Sequence, residues 1–240
     1  MNTYDHLFFD LDNTIWDFST NSRLAMIQTL KQASIMERLP GFDAYFNSYE
    51  QINAALWNDY HHKRITKQKL IVERFARSLS AFDITDYNWE LLNQLYLENM
   101  ANQSHLFEGT KETLTNLKNK GYQMHIITNG FREVQRKKLE KCGLSEYFTK
   151  IFISEETKSV KPHREIFEYA LKSTNAKKSK SVMIGDSWET DIRGAFRFGI
   201  DQIMFLNGNI EQVPIEIQKQ IMGIESPVVV IKGKIKTVFI

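Results

Sequence analysis

From residue 110 onward the hydrophobic period of the chain keeps switching. Stretches with helical spacing at 110–120, 133–141, 165–172 and 191–198 alternate with short apolar runs at 122–127, 150–153, 181–184 and 202–206. Three of the helical stretches stop at Gly121, Gly143 and Gly199, as helices commonly do. Apolar runs without polar alternation suit strands buried on both faces, and helices between such strands supply the covering layers. An earlier run at 5–10 adds a strand near the start. The chain is thereby constrained to an α/β fold built on a parallel sheet. Residues 227–231 and 236–240 are also strand-like, and 232–234 suit a hairpin turn between them.

The section between the first strand and this alternation reads differently. Leu24, Ile27 and Leu30 share one helical face, and Ile35 and Leu39 extend it less regularly until Pro40-Gly41 breaks it. Residues 42–56 form a second helix, which Trp57 extends on its apolar face. Residues 67–79 carry Leu70, Ile71, Phe75 and Leu79 as an amphipathic stripe, and 87–100 carry Leu91, Leu92, Leu95 and Tyr96. Structureless connections beyond about 15 residues are uncommon in compact domains, and this one holds about four helices. The expected organisation is an α/β core at 1–16 and 105–240 with an all-helical insertion at 17–104. Aromatic residues of the insertion serve packing, with a minority facing a cleft.

Composition narrows the function. The 240 residues are 42% hydrophobic, enough for one domain with an insertion or for two domains. The 31 basic and 29 acidic residues leave a formal charge of +2, which gives no global pull toward nucleic acid or membrane. The basic runs His61-His62-Lys63-Arg64 and Lys177-Lys178-Ser179-Lys180 are short, whereas polymeric nucleic acid asks for a broader basic face. The single cysteine, Cys142, excludes an intrachain disulfide and a multi-cysteine metal site, and its place at a helix end suits a buried small hydrophobe. Neither a basic and apolar leader nor a bilayer-long apolar stretch is seen, so the expected location is cytoplasmic and reducing.

The chemistry concentrates just past the apolar runs. Asp10 and Asp12 follow the first strand, Thr128 the next, Lys161 a longer loop after the third, and Asp186 with Asp191 the fourth. Strands of one parallel sheet bring their carboxyl ends to one edge, where ligands bind. Two acids at a buried strand end are costly unless a cation or a proton compensates them, and hard oxygen ligands suit magnesium. The competing reading is a solvated strand-to-loop junction. Taken together, these groups suit phosphoryl transfer, which needs positioning and charge stabilisation above all.

These segments resemble the haloacid dehalogenase superfamily of phosphohydrolases. Its Asp-x-Asp-x-Thr motif stands here as Asp10-Leu11-Asp12-Asn13-Thr14. Its second motif stands as Thr128 in Ile126-Ile127-Thr128-Asn129-Gly130, its third as Lys161-Pro162, and its fourth as Gly185-Asp186-Ser187-Trp188-Glu189-Thr190-Asp191. All four occur in order and span nearly the whole chain. The resemblance implies a Rossmann-like core, and the insertion is similar to the family's helical cap of the first type. Within the superfamily the chain looks most like the nucleotidases that act on pyrimidine and other nucleoside 5′-monophosphates.

The resemblance also implies roles. Asp10 is the expected nucleophile, forming an aspartyl-phosphate. Asp12 is the expected general acid and then base. Magnesium is expected on Asp10, the backbone carbonyl of Asp12 and Asp186, with Asp191 binding directly or through water; the alternative for Asp191 is a helix cap. Thr128, with the Asn129 and Gly130 amides, is expected to hold phosphoryl oxygens at a helix start, and Lys161 to bridge Asp10 and the phosphate. Thr14 either braces the loop or caps a helix. Trp16 and Phe18 are candidates for a cap hinge or a stack on the leaving group. Trp188 faces the cleft or the cap, and packing is the competing role for all three. His163 reads as a surface residue at a helix start.

The expected partner is thus a small phosphorylated metabolite, first a nucleoside monophosphate, handled by a monomer or homodimer. A phosphatase of sugar phosphates or other small metabolites is the alternative. Carbon–halogen hydrolysis is disfavoured, because a halide needs no proton and family members with that activity depart from the second Asp, kept here as Asp12. A phosphonate hydrolase would want a buried cap lysine, and nothing marks Lys63, Lys67 or Lys69 as one. A phosphomutase stays open. A non-catalytic binding protein on the same fold should have lost a motif, and none is lost.

Overall fold

Strand β1 (His6–Phe9) is buried along its whole length, and the rest of the sheet is laid out from it. The computed structural model describes residues 4–206 and 229–232. β1 pairs in parallel with β2 (Gln123–Thr128) on one side and β4 (Ser181–Gly185) on the other. Beyond β2 lies β3 (Lys150–Ile153), and beyond β4 lie β5 (Asp201–Leu206) and β6 (Val229–Lys232), giving the order β3-β2-β1-β4-β5-β6. Phe9 faces Ile126 across one ladder and Ile184 across the other, so β2 and β4 end within two residues of the level of β1. The strand order reverses direction at β1, and a crevice opens at the carboxyl ends of strands at such a switch point.

Among the described residues, five helices belong to this α/β unit: α5 (Thr110–Asn119), α6 (Arg132–Lys141), the short α7 (Ser154–Thr157), α8 (Arg164–Thr174) and α9 (Arg193–Phe198). One apolar cluster joins Phe8, Ile127, Phe152 and Met183 of the strands to Ile166, Phe167 and Ala170 of α8 and to Ala195 and Phe198 of α9. Burying each large apolar side chain there contributes about 1.5–3 kcal/mol. β6 extends the edge as a parallel strand beside β5, with Val229 opposite Ile203. Of the hairpin expected at 232–234, residues 233–234 and the run at 236–240 lie outside the described residues. The helix expected over 191–198 begins differently. A π-helical turn at Trp188–Ile192 precedes α9. Ser187, not Asp191, caps that turn, its Oγ accepting from Thr190 N at 3.3 Å.

The second compact unit covers Ser19–Gln103, the first Met1–Phe18 with Ser104–Ile240. The inserted region is all-helical: α1 (Phe18–Gln32), a 3-10 turn at Met36–Arg38, α2 (Phe42–His61), α3 (Lys67–Ser80) and α4 (Trp89–Ala101). Helix α1 stops short of Ile35 and Leu39, because Ser34 takes a left-handed conformation (φ 55°). Helix α2 runs past Leu56 to His61. Thr66 and Asn88 cap α3 and α4, accepting from Lys69 N at 3.2 Å and Leu91 N at 2.8 Å. Tyr49, Phe75 and Tyr96 pack ring to ring at 5.5–5.9 Å, and the buried Arg74 guanidinium lies 5.2 and 5.1 Å from the Phe75 and Tyr96 rings. Among the described residues no helix is long and apolar enough to cross a membrane.

One pair in the sheet interior is titratable. His125 of β2 is fully buried, and its Nε2 lies 3.2 Å from His6 Nδ1 on β1. Burial pushes His125 down to about 4, and the neighbouring His6 and Lys150 push the same way. An unfolded histidine titrates near ~6.5. Between these values the unfolded chain binds the extra proton, so this residue's contribution to stability is lost as pH falls from about 6.5 to about 4, up to about 3 kcal/mol. His125→Leu should remove that dependence. In denaturant titrations at pH 7 and pH 4.5, the stability of the variant relative to the parent should rise by about 1–3 kcal/mol at the lower pH. An unchanged difference would show that His125 does not titrate on unfolding.

Candidate active site

The end of β1 does not run straight into a loop. Asp10 N still donates to Ile184 O of β4 at 2.8 Å, which keeps Asp10 in the ladder. The chain then folds back: Ile15 N and Trp16 N both donate to Leu11 O, at 3.0 and 2.9 Å, and Asn13 takes a left-handed conformation (φ 61°). Asp10 is thereby fixed by the sheet, and Asp12 by a tight turn beside it.

Carboxylate oxygens of Asp10, Asp186 and Asp191 all lie within 4.8 Å of one another. Asp10 and Asp191 are buried, and Asp186 is half-buried. The Lys161 ammonium sits between two of them, 2.5 Å from Asp10 Oδ1 and 2.6 Å from Asp191 Oδ1. Its backbone is clasped by one side-chain amide: Lys161 N donates to Asn129 Oδ1 at 2.8 Å, and Asn129 Nδ2 donates to Lys161 O at 2.9 Å. Asn129 therefore ties the loop after β2 to the loop bearing Lys161. Thr14 Oγ1 donates to Asp186 Oδ1 at 3.4 Å, which is the bracing role and not a cap. Asp191 is turned back onto its own loop, with Oδ2 accepting from Ser187 N at 3.1 Å. The Gly130 N–H, expected at a phosphate, points to Thr128 Oγ1 at 3.2 Å, because the threonine hydroxyl lies across the turn that opens α6.

Electrostatics follow from this crowding. Burial pushes Asp10 up to about 7; Lys161 opposes the shift, and the Asp191 and Asp12 carboxylates add to it. Asp186 is raised well above the ordinary carboxylate range by burial and by Asp10 and Asp191. Burial works against the charge on Lys161, but Asp10 and Asp191 outweigh it and hold the ammonium above its usual value. Around the site, Asp10, Asp12, Asp186 and Asp191 face Lys161 and Lys138, a formal excess of two negative charges. All the donors are hard oxygens. That set fits a divalent hard cation such as magnesium, whose charge would reverse the upward shifts.

Two site residues were not expected. Gln135 and Lys138 of α6 are buried, and both reach Asp12: Lys138 Nζ lies 2.6 Å from Oδ1, and Gln135 Nε2 donates to Oδ2 at 2.9 Å. The sequence carries a signal for them. Val134, Gln135, Lys138, Leu139 and Cys142 share the inward helical face, so an amide and an ammonium stand where apolar residues are the rule. Trp16 is completely buried, and its ring lies 4.0 Å from Lys138 Nζ, so it is engaged by the lysine and not open for a stack on a ligand. Phe18 is half-buried, its ring 6.2 Å from that of Trp16. Trp188 is buried in the π-helical turn, Cys142 is buried at the end of α6, and His163 is exposed at the start of α8.

The family model for haloacid dehalogenase-like hydrolases matches residues 7–205. The chain belongs to that family. It is 34% identical over 209 residues to pyrimidine 5′-nucleotidase PynA of Streptococcus pneumoniae, covering 87% of this chain and 86% of that protein. It is 31% identical over 213 residues to pyrimidine 5′-nucleotidase YjjG of Escherichia coli, covering 88% and 89%. The crystal structure of the HAD-family protein YfnB of Bacillus subtilis, bound to magnesium, superposes with a TM-score of 0.80 at 28% identity, over 93% of this chain and 100% of that one. Relatives at 28% and 27% identity include a glyceraldehyde 3-phosphate phosphatase of Pyrococcus furiosus and a human N-acylneuraminate-9-phosphatase. The protein is thus a phosphohydrolase of the haloacid dehalogenase superfamily with a helical cap, and its carboxylate cluster is competent to bind a divalent cation.

In this hydrolase the glycine of the fourth motif is required by space. A Cβ on Gly185 would collide with the Asp191 carboxylate. Gly185→Ala should therefore displace Asp191 at an overpacking cost of about 1–3 kcal/mol. Calorimetric titration with magnesium should show at least ~10-fold weaker binding in the variant, since a carboxylate of the cluster is moved. Unchanged affinity would mean that Asp191 is not needed at the cation.

Proposed function

We propose that this protein is a magnesium-dependent phosphomonoesterase working through an aspartyl-phosphate on Asp10, with nucleoside 5′-monophosphates as its substrates. The observation that carries the reading is the division of labour among the acids. Asp10 is held in the sheet against Lys161 and two further carboxylates, while Asp12 is held apart on the adjoining turn. Asp10 would attack phosphorus as the bond to the ester oxygen breaks, and Asp12 would give its proton to that oxygen. Asp12, now a base, would take a proton from the water that cleaves the acyl phosphate, freeing inorganic phosphate and Asp10. Thr128 and Lys161 would hold phosphoryl oxygens. Magnesium would be held by Asp10, the Asp12 carbonyl, Asp186 and Asp191, and when bound it would neutralise charge between phosphate and nucleophile.

Asp10→Asn should cost roughly a thousandfold or more in turnover with the fold retained, because an amide cannot replace the nucleophile. Turnover within about tenfold of the parent would remove Asp10 from that role. Activity should vanish with a chelator and return with magnesium, and full activity in a metal-free preparation would reject the cation.

The nucleotide assignment is supported by the two pyrimidine 5′-nucleotidases among the relatives. A second reading, a phosphatase of sugar phosphates or other small metabolites, is favoured by the names of the more distant relatives. A panel of phosphorylated metabolites assayed with magnesium separates them. Pyrimidine nucleoside monophosphates should lead in kcat/KM by at least about tenfold, a margin of some 1.4 kcal/mol in transition-state binding. A sugar phosphate at the head of the panel would install the second reading.

A further inference from the structure

Gln135 and Lys138 lie one helical turn apart on the buried face of α6, and between them they occupy both oxygens of Asp12. The amide nitrogen of Gln135 also donates to Thr128 Oγ1 at 2.6 Å. An amide NH2 has two protons, so one serves Asp12 and one serves Thr128. Gly130 N donates to the same Thr128 oxygen at 3.2 Å. A hydroxyl oxygen has two lone pairs, and both are now taken. The Thr128 hydroxyl is left able only to donate, and a phosphoryl oxygen can only accept. Lys138 is itself held, with its ammonium 4.0 Å from the Trp16 ring centroid and 5.7 Å from that of Phe18, an arrangement that favours a cation over an aromatic face.

We propose that Gln135 and Lys138 are positioning residues. Lys138 and Gln135 fix the Asp12 carboxyl group in the orientation from which it serves the leaving oxygen, and Gln135 also turns the Thr128 hydroxyl proton outward toward the phosphoryl group. The proposal rests on the reading of Asp12 as general acid. In that step the phosphorus–oxygen ester bond breaks, the ester oxygen takes the Asp12 proton, and Asp12 is left as a carboxylate beside its two donors. A proton donor displaced from its line of approach loses its advantage, and the loss is greatest where the leaving group needs the proton most. Neither residue touches substrate in this scheme, so both act through Asp12 and Thr128.

The test uses the magnesium-loaded protein and two substrates, phenyl phosphate with a poor leaving group and 4-nitrophenyl phosphate with a good one. Asp12→Asn is the control for the underlying reading, and its loss in kcat should be at least ~10-fold larger on phenyl phosphate. Lys138→Met keeps the length of the side chain and removes the donor. It should show the same bias, at least ~10-fold between the two substrates, with KM close to the parent value. Lys138→Arg, which keeps a donor, should recover most of it. Gln135→Met should show the bias and also a raised KM, because Thr128 loses its orientation. If Asp12→Asn shows the bias and Lys138→Met loses equally on both substrates, the positioning role falls while the acid assignment stands. If Asp12→Asn shows no bias, both fall together. Should Lys138→Met fail to fold, Gln135→Met carries the same test, and equal losses on the two substrates in it overturn the proposal.

Discussion

The site depends on one buried ammonium. Without Lys161 between Asp10 and Asp191, the end of β1 would hold three closely spaced carboxylates with little water to screen them. Charges taken out of water are tolerated only when paired and hydrogen-bonded. The rest of the local architecture serves to deliver that lysine. It comes from a loop after β3, and Asn129 from the end of β2 clasps its backbone through both an N–H and a carbonyl. The adjacent carboxyl ends of β1, β2 and β4 bring the three segments within reach. The sheet topology, the clasp and the ion pairs are therefore one construction. Lys161 compensates part of the charge, and the remaining negative excess is what a divalent cation would offset before an anionic phosphoryl group enters.

The helical face that closes the site illustrates a conflict between packing and chemistry. Val134 and Leu139 of α6 pack as core residues, and between them Gln135 and Lys138 face the same way. A leucine or methionine at either position would avoid desolvating a polar group. Natural proteins commonly accept such a loss of stability where a site needs a fixed polar group. Gly130 and Gly185 show the same priority in space. Side chains there would run into the Gln135 amide and the Asp191 carboxylate, so the backbone stays bare to let functional groups approach.

How much of this was legible in the sequence depended on whether a residue's place is fixed by the sheet. Asp10, Thr128, Lys161, Asp186 and Asp191 could be gathered in advance because each follows an apolar run, and parallel strands put their carboxyl ends on one edge. Lys161 was expected against Asp10 and a phosphate; its second carboxylate, Asp191, was not foreseen, because side-chain direction inside a π-helical turn has no sequence period. Gln135 and Lys138 escaped because a search for apolar periodicity treats polar residues as solvent-facing, and only the flanking Val134 and Leu139 reveal their inward face. The end of α1 was misplaced because apolar spacing continued through Ile35 and Leu39 while the backbone at Ser34 had already turned.

Chemistry at phosphorus needs the same few groups whatever the leaving group is, so it can be argued from strand ends and ion pairs. Substrate choice is a difference between affinities for leaving groups. In the helical unit the rings of Tyr49, Phe75 and Tyr96, with Arg74, are committed to its own core. The sequence pattern that marks such a core is identical whichever metabolite is bound. A phosphohydrolase is therefore legible in the residues that the sheet positions, whereas the choice of leaving group turns on side chains that a core pattern does not mark.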